Sequence, residues 1–241
     1  MAANAPAAET CPACKGFGVL ETPQGRVVTC HCRAAGLAEA RLKAAEIPER
    51  YRNCKLENFI VHRDAPPSQR LAKMRAIKFV EEWRSVPYGL FFVGRVGVGK
   101  THLATAILRS LVEDCGVRGV FCDFSDLLER IQATFSKSNP DNADDVLAPY
   151  RDTELLVLDE LGARRPTDWV RDVLYGLINT RYNRQRITIV TSNYGDVPSS
   201  AGEETLELRV GVLVRSRLHE MCIPVLIEGE DYRKKQRAWS A

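Results

Sequence analysis

Gly94-Arg95-Val96-Gly97-Val98-Gly99-Lys100-Thr101 reads G-x-x-x-x-G-K-T, between the apolar run Leu90-Phe91-Phe92-Val93 and a helix-forming stretch, His102 to Val112. Strand, glycine loop and helix in that order predict a backbone cradle for phosphates. The glycines let successive N–H groups turn inward, and the helix that starts near Lys100 adds its positive dipole end. In such a loop Lys100 reaches the β- and γ-phosphates of ATP, and the Thr101 hydroxyl holds Mg²⁺. His102, at the head of the helix, is counted with the nucleotide-contacting residues.

Downstream, Leu155-Leu156-Val157-Leu158 is a continuous apolar run that ends in Asp159-Glu160. Such a run suits a strand buried on both faces of a parallel sheet. Its C-terminal end is where open α/β sheets place their ligands. Asp159 is then the second handle for Mg²⁺, and Glu160 is placed to polarise an attacking water. Gly119 to Cys122 and Ile187 to Thr191 read as further strands, and Val225 to Ile227 as a last short one. Helices are predicted from the cap Ser68 to Pro87, from the cap Ser125 to about Phe135, along the stripe Val170 to Tyr182, and from Glu203 to Met221. Ser136 to Asp145, with Asn139-Pro140, reads as a polar mobile loop. Strands alternating with helices predict an α/β chain with a doubly wound parallel sheet. Asn193, at the end of a neighbouring strand, is a candidate for holding the water or the γ-phosphate.

Upstream, Cys11-Pro-Ala-Cys14 and Cys30-His31-Cys32 form two close pairs separated by fifteen residues. The spacing supports a tetrahedral Zn²⁺ site on Cys11, Cys14, Cys30 and Cys32, with His31 as the alternative to one of the cysteines. Val19 to Thr29 between the pairs predicts a hairpin turning at Pro23-Gln24-Gly25, and the metal would stabilise so small a module. Ala34 to Ala45 predicts a helix, and Glu49 to Asn58 a docking linker. The organisation expected is residues 1–46 as a zinc-binding module with a helical linker and residues 47–241 as an ATPase domain.

The whole chain of 241 residues is 45% hydrophobic, enough for one sizeable core and a small appendage. It carries no apolar run of membrane-spanning length and no secretion signal at its N-terminus, so a cytoplasmic protein is expected. Eight cysteines there mean metal or free thiols rather than disulfides. A net charge of +3 does not by itself argue for nucleic acid. The basic runs Arg181 to Arg186 and Arg233 to Arg237 read as solvated surface.

The phosphate loop, the Leu155–Glu160 strand, Ile178-Asn179-Thr180-Arg181-Tyr182 and Thr188-Ile-Val-Thr-Ser192-Asn193 together resemble the DnaC/IstB group of AAA+ ATPases, which includes bacterial helicase loaders and transposition helpers. The resemblance covers roughly Ile47 to Arg233. It implies a sensor-1 role for Asn193 and an arginine finger at Arg217, in Ser216-Arg217-Leu218, with Arg215 as the competitor. It also implies a sensor-2-like role for Arg233 in Asp231-Tyr232-Arg233. Gly195 to Glu203 is longer and more polar than the family pattern, and the chain beyond Arg233 leaves no room for a separate lid domain. The cysteine arm resembles that of DnaC/DnaI-like loaders. The implied partners are a hexameric replicative helicase, single-stranded DNA and further copies of the chain in an ATP-dependent homo-oligomer, with no membrane. The alternatives are an IstB-type helper acting on duplex DNA with a transposase, and a nucleotide-gated binding module with negligible turnover.

Overall fold

A computed structural model describes residues 11–135, 142–197, 202 and 204–234. The first elements are an antiparallel hairpin, β1 (Val19–Glu21) and β2 (Val27–Thr29), in which Val19 faces Thr29. The predicted turn is there, closed by Gly25 N–H donating to the Thr22 carbonyl at 2.8 Å. Helix α1 (His31–Ala44) follows directly, so it starts earlier than Ala34, with Cys30 as its N-cap residue and Cys32 in its first turn. The second close cysteine pair therefore sits on a helix N-terminus.

The segment 49–59 is packed into the body. A 3-10 turn, Glu49–Tyr51, opens it, and Leu56 and Phe59 are buried in the core. Helix α2 (Pro67–Glu81) is capped by Pro66, with Pro67 at the first helical position, rather than by Ser68. Proline there loses no hydrogen bond, and its fixed φ already suits the helix. The Ser68 hydroxyl instead accepts from Glu228 N–H at 3.0 Å.

Then come β3 (Gly89–Val93), α3 (Lys100–Asp114), β4 (Gly119–Asp123) and α4 (Phe124–Ala133). Asp123, not Ser125, caps α4, its carboxylate accepting from the Ser125 amide at 2.8 Å. Of the expected polar loop, Ser136 to Asp145, residues 136–141 lie outside the described residues, and the remainder is the N-cap and first turn of the helix α5 (Ala143–Asp152). Asn142 Oδ1 caps it by accepting from Asp145 N–H at 2.9 Å, and Asp144 and Asp145 favour its N-terminal dipole.

The remaining elements are β5 (Leu155–Asp159), α6 (Asp168–Asn183), β6 (Ile187–Ser192), α7 (Leu206–Val210), α8 (Val212–Met221) and β7 (Cys222–Leu226). The single helix expected from Glu203 to Met221 is two. Gly211 sits between them at φ 86°, a conformation an α-helix cannot contain. Parts of the expected long segment, residues 198–201 and 203, and the basic tail from residue 235 lie outside the described residues.

The five strands pair in parallel in the order β4-β5-β6-β3-β7. One core, with Phe92, Leu103, Ile107, Leu111, Val157 and Ile189, lies between the sheet and α2 and α3. The other, with Leu127, Ile131, Leu156, Leu158, Leu177 and Ile178, lies under α4, α5 and α6. Helices on both faces explain why β5 is apolar at every position before Asp159. This is the doubly wound parallel fold expected.

Arg181 corrects the surface reading of its basic run. It is fully buried on α6. Its guanidinium donates to the carbonyls of Tyr150 at 2.7 Å, Thr153 at 3.1 Å and Ile187 at 2.6 Å, and to Thr188 Oγ1 at 2.9 Å. Desolvation pushes its pKa down to about 9. This arginine ties α5, α6 and β6 together.

Candidate nucleotide site and cysteine cluster

The site forms where β3 ends and α3 begins. Gly99 takes φ 99°, and a Cβ there would lie 2.5 Å from the Phe59 ring. Only glycine meets both demands. Val98 is buried and anchors the loop, while Arg95 and Val96 are exposed. Lys100 is 7% exposed, and its Nζ donates to the carbonyls of Gly94 and Arg95, each at 2.8 Å, and to Asn193 Oδ1 at 2.7 Å. The structure thus joins Lys100 and Asn193, 93 residues apart, by a direct hydrogen bond. Desolvation lowers the Lys100 pKa to about 8, against the pull of Asp159 and Glu160.

Asp159 ends β5 and is 3% exposed. Its carboxylate accepts from Thr101 Oγ1 at 2.9 Å and from Thr191 Oγ1 at 2.6 Å. Burial pushes its pKa up to about 6 in spite of these two hydroxyls. An acidic oxygen and a hydroxyl in direct contact are a donor set suited to a hard cation such as Mg²⁺. Glu160 follows in a left-handed conformation, φ 55°, with its amide donating to Thr191 Oγ1 at 3.0 Å.

Residues Val96 to His102, Glu160, Asn193 and Arg233 line one cavity of about 800 Å³. Arg233 reaches it from the C-terminal segment, where Tyr232 N–H donates to the Gly97 carbonyl at 3.0 Å and the Arg233 guanidinium lies 3.4 Å from Asp231. His102 lines the cavity, but its Nε2–H is engaged by the Lys55 carbonyl at 3.0 Å, and its ring stands edge-on to Phe59. The far wall holds Arg50, Tyr51, Ile60, His62 and Tyr232, to none of which the sequence assigns a role at the nucleotide. These residues become neighbours of the loop only through tertiary packing.

Arg217 does not line this cavity. Its guanidinium lies 4.6 Å from the Tyr175 ring centroid and 5.7 Å from that of Tyr182, and Nη2 donates to Tyr175 Oη at 3.2 Å. Arg215 is committed elsewhere, 2.7 Å from Asp196 and 3.8 Å from Glu207.

The four cysteines converge. All four Sγ atoms lie within 4.8 Å of one another, with Cys11–Cys30 at 3.8 Å and Cys14–Cys32 at 3.5 Å. Thiolates at ~2.3 Å around a tetrahedral ion stand about 3.8 Å apart, so the cluster fits a metal ion. Gly18 N–H donates to Cys14 Sγ at 3.3 Å, which favours the thiolate. His31 lies against the cluster, 3.7 Å from Cys11 Sγ and 3.6 Å from Cys30 Sγ, while the compact set is the four cysteines. Among the described residues no helix is long and apolar enough to cross a membrane.

Comparison with known proteins places this geometry among nucleotide-binding replication proteins. The profile of the IstB-like ATP binding protein family matches residues 30–240. The replicative helicase loader DnaC of Escherichia coli K12 is 26% identical over 167 residues, which span 67% of this chain and 65% of the loader. The crystal structure of a DnaC helicase loader superposes with a TM-score of 0.63 at 34% identity, covering 75% of this chain and 99% of that one. DnaA from Aquifex aeolicus, at 24% identity and a TM-score of 0.59 over 81% of this chain and 57% of that one, shares the fold.

Proposed function

This chain belongs to the IstB-like ATP-binding protein family, and from that premise we propose that it is an ATP-hydrolysing loader of a replicative DNA helicase. The observation that carries the reading is the 34% identity to the DnaC helicase loader across 99% of that crystallised chain. The cluster of four cysteines, whose geometry suits a metal ion, supports it, since an N-terminal module ordered in this way would offer a protein partner a second surface.

In this reading Lys100 turns from the loop carbonyls and Asn193 to the β- and γ-phosphates. Thr101 and Asp159 hold Mg²⁺, which supplies charge neutralisation at the transferring phosphate. Glu160 accepts the proton of the attacking water as the water oxygen bonds to the γ-phosphorus and the β–γ bridge bond breaks, leaving ADP and phosphate. Asn193, freed from Lys100, holds the water or the γ-phosphate, and Arg233 steadies the nucleotide. Arg217 serves a neighbouring copy, because it lies outside its own cavity and rests on neutral tyrosines rather than in ion pairs. Zn²⁺ on Cys11, Cys14, Cys30 and Cys32 would order the module around them, with residues 1–46 gripping the helicase and residues 47–241 binding single-stranded DNA and assembling with ATP.

The test is transfer of a hexameric replicative helicase onto circular single-stranded DNA by the full chain with ATP. Wild-type protein is expected to deposit helicase, and Glu160→Gln to bind ATP and helicase without releasing a loaded ring. No deposition, together with nucleotide-dependent filaments on duplex DNA, would move the transposition-helper reading ahead.

A further inference from the structure

We propose that Thr191 is a positioning residue for hydrolysis, acting through Glu160; this rests on the ATPase reading above. Thr191 is 1% exposed at the end of β6, on the strand beside the one that carries both acidic residues. Its single hydroxyl is used twice. The proton is donated to Asp159 Oδ1 at 2.6 Å, and the oxygen accepts from the Glu160 amide at 3.0 Å. The Thr191 carbonyl then accepts from Leu161 N–H at 2.9 Å. One residue thus holds the Asp159 carboxylate and two consecutive amides of the turn that follows it.

That turn is where Glu160 departs from the strand. Its φ of 55° is left-handed, a conformation a non-glycine residue adopts at a cost and keeps only where neighbours hold it. Asp159 lies behind the cavity wall, hydrogen-bonded to Thr101 and Thr191, while Glu160 and Thr191 line the cavity itself. The Thr191 hydroxyl therefore holds the backbone from which the Glu160 side chain leaves the strand, relative to the metal-holding pair Thr101 and Asp159. Neither acidic residue can shift without lengthening a hydrogen bond to it. Asp159 keeps Thr101 as a second donor, so loss of the Thr191 hydroxyl falls mainly on Glu160.

The role predicts a split that general destabilisation would not produce. Thr191→Val removes the hydroxyl at nearly constant volume, and Thr191→Ser keeps it. Full-length chains are compared for affinity toward a fluorescent ATP analogue with Mg²⁺ and for single-turnover ATP hydrolysis, each in the wild-type and Glu160→Gln backgrounds. Thr191→Val should slow hydrolysis by roughly 10–100-fold with the dissociation constant within about 3-fold, and Thr191→Ser should recover most of the rate. In the Glu160→Gln background the same valine should cost less than about 2-fold, because the group it positions is already disabled. Should the valine variant fail to fold, Thr191→Cys, which keeps the volume but only a weak acceptor, takes its place with the same expectation. Wild-type hydrolysis by the valine or cysteine variant would overturn the proposal, as would an equal loss with and without the Glu160 carboxylate. If the wild-type chain hydrolyses no ATP at all, the ATPase reading fails first, and visibly, before any Thr191 variant is compared.

Discussion

Asp159 is only 3% exposed, and its carboxylate is met by the Thr101 and Thr191 hydroxyls. Burial raises its pKa to about 6, above the ordinary 3.8. The sign follows from linkage. An unfolded chain gives up this proton near 4 and the folded one near 6, so the nucleotide-free protein loses stability as pH rises through that window. At pH 7 the cost is on the order of 3 kcal/mol. Asp159→Asn should therefore raise the melting temperature of the nucleotide-free chain at pH 7 by a few degrees, and the gain should vanish at pH 4. The same variant should lose the thermal shift that Mg²⁺ with ATP gives the wild type. Melting curves at the two pH values, with and without Mg²⁺ and ATP, decide it. An Asn variant that melts lower than wild type at pH 7 without nucleotide would contradict the buried-charge argument. Lys100 pulls the other way in the same site: desolvation holds its pKa near 8, so its charge is retained at neutral pH mainly by the two acidic neighbours.

Among the elements, those legible in the sequence are the ones whose signal is local. The phosphate loop needs glycine at set positions, and β5 is apolar because both its faces are covered, so both announce themselves in a few residues. Helix α5 does not: it is ten residues long, begins with polar residues and contains Pro149, all of which imitate a loop. Arg181 could not be read as buried, since its partners Tyr150, Thr153, Ile187 and Thr188 come from other elements, and only folding brings their oxygens together. The far wall of the cavity was hidden for the same reason. The break at Gly211 has a sequence signal, a glycine between valines, and it matters because it sets the direction of α8 and hence of Arg217. Arg215 is held by Asp196 and Glu207, whereas Arg217 rests on Tyr175 and Tyr182, so Arg217 is the arginine proposed to serve a neighbour's phosphate. Mixing equal amounts of Arg217→Ala and Lys100→Ala chains should restore up to about a quarter of the wild-type hydrolysis rate, since about one interface in four then joins an intact loop to an intact finger. Absence of rescue at every ratio, with assembly shown intact, would move the finger to Arg215.

At the scale of the whole molecule, the cysteine module and the nucleotide site are mechanically continuous. Helix α1 runs from the cluster and packs against α3, the helix that begins with Lys100 and Thr101. Its far end is pinned, with Ala45 fully buried and its carbonyl accepting from Phe121 N–H at 2.8 Å. Glu46 then joins Tyr150 Oη at 3.0 Å and Arg130 at 3.2 Å. In the module Phe17 is 79% and Val27 70% exposed, and these are the apolar side chains proposed to meet the helicase. A metal-ordered surface docks with less loss of conformational entropy than a floppy arm, so helicase binding should depend on the metal. Full-length Cys11→Ser/Cys14→Ser protein should lose its zinc and its capture of a hexameric helicase by at least about 10-fold, while ATP affinity stays within about 3-fold, because α3 is held chiefly by the sheet. Phe17→Ser should weaken capture with zinc content unchanged, which separates the contact surface from the metal that shapes it. Elemental analysis, nucleotide titration and helicase pull-down on the same preparations supply the three readings. Zinc retained in the double variant would remove the cluster assignment, and undiminished capture by zinc-free protein would place the helicase contact on the ATPase body.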